Sequence, residues 1–320
     1  MSEPPDRLRV SIVIPLLNEE MMVPLLFEAM RSFFRARPGT EWELLLVDDG
    51  SRDRTVDLVR AQPALPVPVR LIRFSRNFGH QCALAAGLQR ASGEAVVCMD
   101  ADLQDPPEVV DAFVEKFREG YDVVYAIRET RQGSLIKRAA YAVFYRVFQR
   151  VAEIPVPLDS GDFGLMSHRV ARLVASMPER DILLRGLRSW VGYRQIGVPC
   201  HRPERAAGQA KYTFRKLMRL ATSAFFGFSR LPLRFATGTG VVAMVVGGCY
   251  GTYSLVSKWW GHAPWGWTSI ILILLILGGA QLVAIGILGE YVARIYEQTR
   301  GRPLYVVAGE EEIAAEGSAR

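Results

Sequence analysis

The chain is poor in the residues that usually announce a cofactor. Its 320 residues hold four cysteines and four histidines, none at metal-ligand spacing. Cys82, Cys98, Cys200 and Cys249 form no CxxC pair and no HxxxH occurs, which excludes the common zinc-site patterns. Scattered thiols fit a reducing cytosol. There is no GxGxxG and no Walker A sequence, so a bound nucleotide would have its diphosphate held by metal and cationic side chains rather than by a glycine-rich cradle. The polar, proline-rich start, Met1 to Val10, shows no secretory signal, and no internal repeat is present. Hydrophobic residues make up 50% of the chain and the net charge is +6. The apolar excess sits near the carboxyl end, so the average hides two different materials.

What is there begins with Val96-Val97-Cys98-Met99-Asp100-Ala101-Asp102-Leu103-Gln104-Asp105-Pro106-Pro107. A short apolar run ends and two carboxylates follow, one residue apart. If the run is a buried strand, alternation turns Asp100 and Asp102 to one face at its carboxyl end, with Gln104 continuing that face only in an extended chain. Two such carboxylates repel unless a positive charge sits between them. Oxygen ligands favour a hard cation, Mg²⁺ or Mn²⁺, and such an ion binds well when a phosphate shares it. Taken alone, the pair leaves kinases, nucleotidyltransferases and hydrolases open.

Strand and helix signals alternate through the first half. Apolar runs at Leu8–Leu17, Trp42–Val47, Val69–Phe74, Ala95–Met99 and Asp122–Ile127 predict five strands. Helices are expected after Asn18 as a cap, after Ser51 or Asp53, from His80 to Ala91, and from Pro107 to Gly120. This order predicts an α/β fold with a mostly parallel sheet, whose ligands bind beyond the strands' carboxyl ends. Polar residues stand at those ends: Asn18 and Glu20, Asp48 and Asp49, Arg76 and Asn77, Asp100 and Asp102. Any one of them is explained as a cap or a turn; the set is not.

Arg128 to Arg150 mixes basic and aromatic residues and reads as a basic amphipathic helix, with Phe214 to Phe228 as a second. Phe235–Val256 and Thr268–Leu288 are uncharged and longer than the roughly 18 apolar residues of a spanning helix. Arg215, Lys216, Arg219, Arg230 and Arg234 precede the first, and Arg294, Arg300 and Arg302 follow the second; the loop between carries only Lys258. The positive-inside rule then places both termini and the soluble domain in the cytosol, with a hairpin in the inner membrane. A membrane surface makes nucleic acid an improbable partner for the basic helix. The expected layout is a catalytic domain over 1–210, juxtamembrane helices over 211–232, two transmembrane helices over 233–290 and a cytosolic tail over 291–320. The tail after Val307 is acidic and predicted to be disordered.

These segments together resemble family 2 glycosyltransferases of the GT-A fold, in the branch that uses polyprenyl phosphate. The resemblance rests on Val10-Ser11-Ile12-Val13-Ile14-Pro15 with Asn18-Glu19-Glu20, on Val47-Asp48-Asp49-Gly50-Ser51-Arg52-Asp53, on Arg76-Asn77-Phe78-Gly79, and on Met99 to Pro107. It continues through Gly161-Asp162-Phe163, Gly208-Gln209-Ala210-Lys211-Tyr212, and Leu288-Gly289-Glu290-Tyr291 leading to Gly301-Arg302-Pro303. It implies inverting transfer of one hexose from a nucleotide-diphosphate sugar to a polyprenyl phosphate. Pro15, Asn18, Glu20 and Asp49 then belong to the nucleotide pocket, with Asp48 as the alternative carboxylate. Asp100, Asp102 and Gln104 match the Mg²⁺ or Mn²⁺ and diphosphate motif. Arg205 and Lys211, and more weakly Arg128, Lys137 and Arg138, match groups near the diphosphate or the acceptor phosphate. Asp162 matches an acidic residue near the reacting centre, as a base or an orienting group, and a plain turn residue is an equal reading. The QxxRW signature of chain-elongating synthases is missing; Arg188 and Trp190 stand in Arg185-Gly186-Leu187-Arg188-Ser189-Trp190, read as structural. The stretches Arg185–Tyr193 and Pro203-Glu204-Arg205 are nearer the glucosyl branch, pointing to UDP-glucose and undecaprenyl phosphate over mannosyl or aminoarabinosyl transfer. The hairpins can pack into a homo-oligomer. Two other classes stand beside this one: a non-catalytic membrane-anchored nucleotide-sugar binder, and a transporter component, for which Gln281 is nearly the only polar residue in the spans.

Overall fold

Period-two burial drives the first element. In β1 (Arg9–Leu16), Ile12 and Ile14 face one apolar layer and Val13 the other, and all are fully buried. A strand covered on both faces requires the unbroken apolar run seen here. A computed structural model describes residues 7–128, 160–177, 179, 183–201, 231–260, 266–313 and 315–316. The described elements fall into two units.

The first unit contains α1 (Val23–Arg35), β2 (Glu41–Asp48), α2 (Thr55–Ala61), β3 (Val69–Phe74), α3 (His80–Arg90), β4 (Ala95–Cys98), α4 (Val109–Arg118) and β5 (Val123–Arg128). It continues with β6 (Ser160–Ser167), α5 (His168–Ser176), α6 (Leu184–Trp190), β7 (Gln195–Cys200) and, from the far end of the chain, β8 (Val307–Ile313). The eight strands form one sheet in the order β7-β5-β6-β4-β1-β2-β3-β8. The block β4-β1-β2-β3 is parallel, so its carboxyl ends share one edge. β6 enters antiparallel between β4 and β5, and β8 closes the other side antiparallel to β3. The sheet is therefore mixed. Phe27, Met30 and Phe113 cover one face, and Leu84, Val170 and Leu187 the other.

Pro15 sits inside β1 without cost to the ladder. The Val13 carbonyl accepts from the Met99 N–H, so two-residue alternation turns Pro15 toward β4 as well. β4 has its last partner at Val13, and no donor is missed there. Asn18 does not cap α1. It takes a left-handed conformation, φ 52°, which Asn tolerates, and α1 starts at Val23 with Pro24 in its first turn. Asp100 and Asp102 lie beyond Cys98 in a turn, with Leu103 at φ 53°, so strand alternation does not orient them.

The predicted disordered tail is instead β8. Glu310 pairs with Arg70 and, at 3.1 Å, with Arg90; Glu311 reaches Arg60 at 2.8 Å and Arg73 at 3.1 Å. Tyr305 stacks on Phe74, centroids 4.9 Å apart. The acidic run that reads as disorder is neutralised by arginines on β3, α2 and α3. Arg70, with Arg90 adding to it, holds Glu310 below the usual carboxylate range, and Arg60 does the same for Glu311. A depressed folded pKa gives stability that is present above the unfolded value, about 4.3, and lost as pH falls through the folded one. Acidification below about pH 4 is therefore expected to raise amide exchange in β8 before the central strands. In Glu310→Gln/Glu311→Gln that acid step should be absent; an unchanged step would remove the clasp from the explanation.

The second unit holds α7 (Leu231–Trp259) and α8 (Trp267–Thr299). Both expected spans are helical. Among the described residues, one stretch, Ile276–Thr299 in α8 with mean hydropathy 1.6, is long and apolar enough to cross a membrane. The Gly and Thr residues of α7, among them Gly247, Gly248 and Thr252, lower its apolar character. The amphipathic segments 129–150 and 214–228 lie outside the described residues.

Candidate active site

Two loops are built around buried carboxylates at the ends of β2 and β3. Asp48 accepts the Ser51 N–H at 3.2 Å. Asp49 accepts the Phe78 N–H at 2.6 Å and the Gly79 N–H at 2.9 Å. Burial pushes the Asp49 carboxyl above its ordinary range, and the two N–H groups oppose the rise. Asp49 thus serves as the clamp between the Asp48-Asp49-Gly50-Ser51 and Arg76-Asn77-Phe78-Gly79 loops.

A second set of bonds joins the end of β1 to the same loop. The Asn18 N–H donates to Ser51 Oγ at 2.9 Å, and Asn18 Oδ1 accepts the Arg52 N–H at 2.9 Å. The Glu19 N–H donates to Thr55 Oγ1, the Glu20 N–H to Asp53 Oδ2, and Glu20 Oε2 accepts the Arg54 N–H at 3.3 Å. Neither Ser51 nor Asp53 is the N-cap of α2, which is Arg54; Asp53, one residue earlier, accepts the Thr55 N–H at 3.0 Å. Despite burial that pushes it up, Asp53 is held below the ordinary range by its bonds to Thr55 and Glu20. Asn18, Glu20, Asp48 and Asp49 therefore share one corner of the sheet edge, beside Pro15.

The chemistry gathers at the end of β4. The Asp102 carboxylate accepts the Gln104 N–H at 3.2 Å. His80, the first residue of α3, lies with Nε2 3.5 Å from Asp100 Oδ1 and 3.8 Å from Asp162 Oδ2. Asp162 reaches this place because β6 runs antiparallel to β4. Cys98 pairs with Gly164, so β6 passes this edge just where the chain leaves β4, and His80 lies within 4 Å of both Asp100 and Asp162. Beneath them Arg188 is fully buried, its Nη2 3.4 Å from the Gly161 carbonyl and its guanidinium 5.0 Å from the Tyr125 ring centre. Burial pulls Arg188 below its ordinary range and the Asp162 charge opposes that. Burial pushes the Cys82 thiol up to about 11 and Cys98 far above its usual range, which disfavours a thiolate at either.

Among the described residues no three His, Cys, Asp or Glu side chains form an all-protein metal cage. The donors at this edge fit a hard cation that takes the rest of its ligands from a substrate: the Asp100 and Asp102 carboxylates and the Gln104 amide are all oxygen donors. Arg128 is at the same edge, as the last residue of β5. Lys137, Arg138, Arg205 and Lys211 lie outside the described residues. The sequence reading stopped one residue short of His80 and Gln81; their place at a strand-to-helix junction on the ligand edge was the available signal. Arg188, expected to be structural, is fully buried where it feels the Asp162 charge.

Residues 11–173 match the model of "Glycosyl transferase family 2", and residues 231–295 match that of "GtrB C-terminal hairpin". The chain is a family 2 glycosyltransferase. Within this family it is 39% identical over 302 residues to the uncharacterized glycosyltransferase YkcC of Bacillus subtilis, covering 94% of this chain and 93% of the relative. It is 36% identical to the bactoprenol glucosyl transferase of Shigella phage SfV, covering 95% of this chain and all of the relative. A solved structure, the mannosyltransferase PcManGT of Pyrobaculum calidifontis in complex with GDP-Man and Mn²⁺, aligns over 88% of both chains at 16% identity with a TM-score of 0.45. The last likeness adds nothing to the sequence matches.

Proposed function

We propose that this glycosyltransferase moves one hexose, glucose, from a nucleotide-diphosphate sugar to a polyprenyl phosphate, with inversion at the sugar carbon. The observation that carries it is the joint presence of the Asp100–Asp102–Asp162 edge and a chain-long match to relatives named bactoprenol glucosyl transferase. The corner formed by Pro15, Asn18, Glu20, Asp48 and Asp49 receives the nucleotide, UDP in the favoured reading. Asp100, Asp102 and Gln104 hold Mg²⁺ or Mn²⁺. When bound, that ion supplies positive charge against the leaving diphosphate.

The nucleophile is an oxygen of the lipid phosphate, which has its second pKa near about 6 and is largely dianionic at neutral pH. No strong general base is needed, and Asp162 orients the acceptor. Arg128, Lys137, Arg138, Arg205 and Lys211 neutralise the phosphates. The α7–α8 hairpin holds the enzyme in the inner membrane as a two-span anchor with the catalytic unit cytosolic, where the basic segments meet the lipid headgroups. A homo-oligomer through the hairpin fits this anchoring.

The test is turnover of the detergent-solubilised full chain with UDP-glucose, UDP-N-acetylglucosamine and GDP-mannose against undecaprenyl phosphate. Glucosyl lipid should form from UDP-glucose, EDTA should stop it, and Mg²⁺ or Mn²⁺ should restore it. A product from GDP-mannose alone would overturn the sugar assignment. Tight UDP binding with no product from any donor would favour a binding protein instead.

A further inference from the structure

Both ends of the Gln81 carboxamide are occupied. Nε2 donates to Asp162 Oδ2 at 2.6 Å, and Oε1 accepts the Leu184 N–H at 2.7 Å. One side chain on α3 therefore joins β6 to the first turn of α6. Asp162 Oδ1 is buried and has no hydrogen-bond partner among the described residues, so a single short bond fixes this carboxylate. A carboxylate held through one oxygen keeps its orientation only if the donor is itself anchored, and the Leu184 N–H supplies that anchor. A carboxamide of this length offers a donor and an acceptor side by side at its end, one for each partner. Glutamate keeps the acceptor and loses the donor; alanine loses both.

We propose that Gln81 is a positioning residue for the transfer, setting the Asp162 carboxylate beside Asp100 and tying that setting to α6. This rests on the reading of the chain as a polyprenyl-phosphate glycosyltransferase and goes beyond it, because Gln81 is assigned to act through Asp162.

Steady-state kinetics with UDP-glucose and undecaprenyl phosphate, and amide exchange at Leu184, test it on the full-length protein. In Gln81→Ala, kcat is expected to fall about 10–100-fold, the range found when a group supporting a first-layer ligand is lost, with the KM for UDP-glucose within about twofold. Gln81→Ala/Asp162→Ala should be no slower than Asp162→Ala alone, because Gln81 acts through Asp162. Exchange at Leu184 should quicken about fivefold in Gln81→Ala, as for one lost hydrogen bond, and stay protected in Gln81→Glu although its kcat falls. Additive losses in the double variant, or unchanged exchange at Leu184 in Gln81→Ala, would overturn the proposal. If the wild-type chain transfers no sugar, the transferase reading fails by itself, and the exchange experiment still decides whether Gln81 is the anchor.

Discussion

Asp102→Ala is expected to lower sugar transfer by about 10³-fold, the scale on which losing one preorganised electrostatic group acts in transition-state stabilisation. Asp102 stands in a turn past β4, where its carboxylate accepts the Gln104 N–H at 3.2 Å. It lies outside the buried core, so its removal leaves both apolar layers intact and the protein folded. The loss should fall on kcat, because charge on the leaving diphosphate is greatest in the transition state. The variant should keep its melting temperature and lose the Mn²⁺-dependent part of UDP binding. Activity within about tenfold of wild type would remove Asp102 from the cation site.

Gly50→Ala is expected to cost roughly 2–4 kcal/mol, summing a left-handed backbone and an overpacked contact. Gly50 has φ 72°, and a methyl added there would meet the Arg76 carbonyl carbon at 2.5 Å and the Asn77 nitrogen at 2.7 Å. These are backbone atoms and cannot swing aside. The strain falls between the two loops that Asp49 clamps through Phe78 and Gly79, so the corner proposed for the nucleotide opens along with the loss of stability. A melting temperature lower by about 5–15 °C and weakened UDP binding are the expected readouts. Gly39→Ala is the control, with nothing within 4 Å of the added methyl. Equal melting temperatures for the two variants would show that the loop pair tolerates the change.

The legible part of this chain was local. The five apolar runs became β1 to β5 with ends shifted by a residue or two, because burial on both faces demands continuous apolar sequence. The polar residues at four strand ends were legible for the same reason: parallel strands joined by helices leave their carboxyl ends on one edge. Where a residue made contacts outside its own segment, local rules misjudged it. Asn18 looked like a helix cap and is instead bonded to Ser51 and Arg52. Glu310 and Glu311 looked like a solvated acidic tail because their arginine partners are more than two hundred residues away.

The sequence by itself determined the Asp100 and Asp102 pair past β4, the polar corner at the ends of β1 and β2, and the apolar helical segments that follow the glycosyltransferase unit. These follow from residue type and short-range period. The tertiary structure decided that His80 lies within 4 Å of both Asp100 and Asp162, that Gln81 bonds Asp162, that Arg188 is buried beneath, and that β8 completes the sheet. Each depends on an antiparallel pairing, Ala95 with Ser167 or Val69 with Ile313, between strands far apart in the chain. Such pairing is chosen by burial and by cross-strand partners, which exist only once the sheet has assembled.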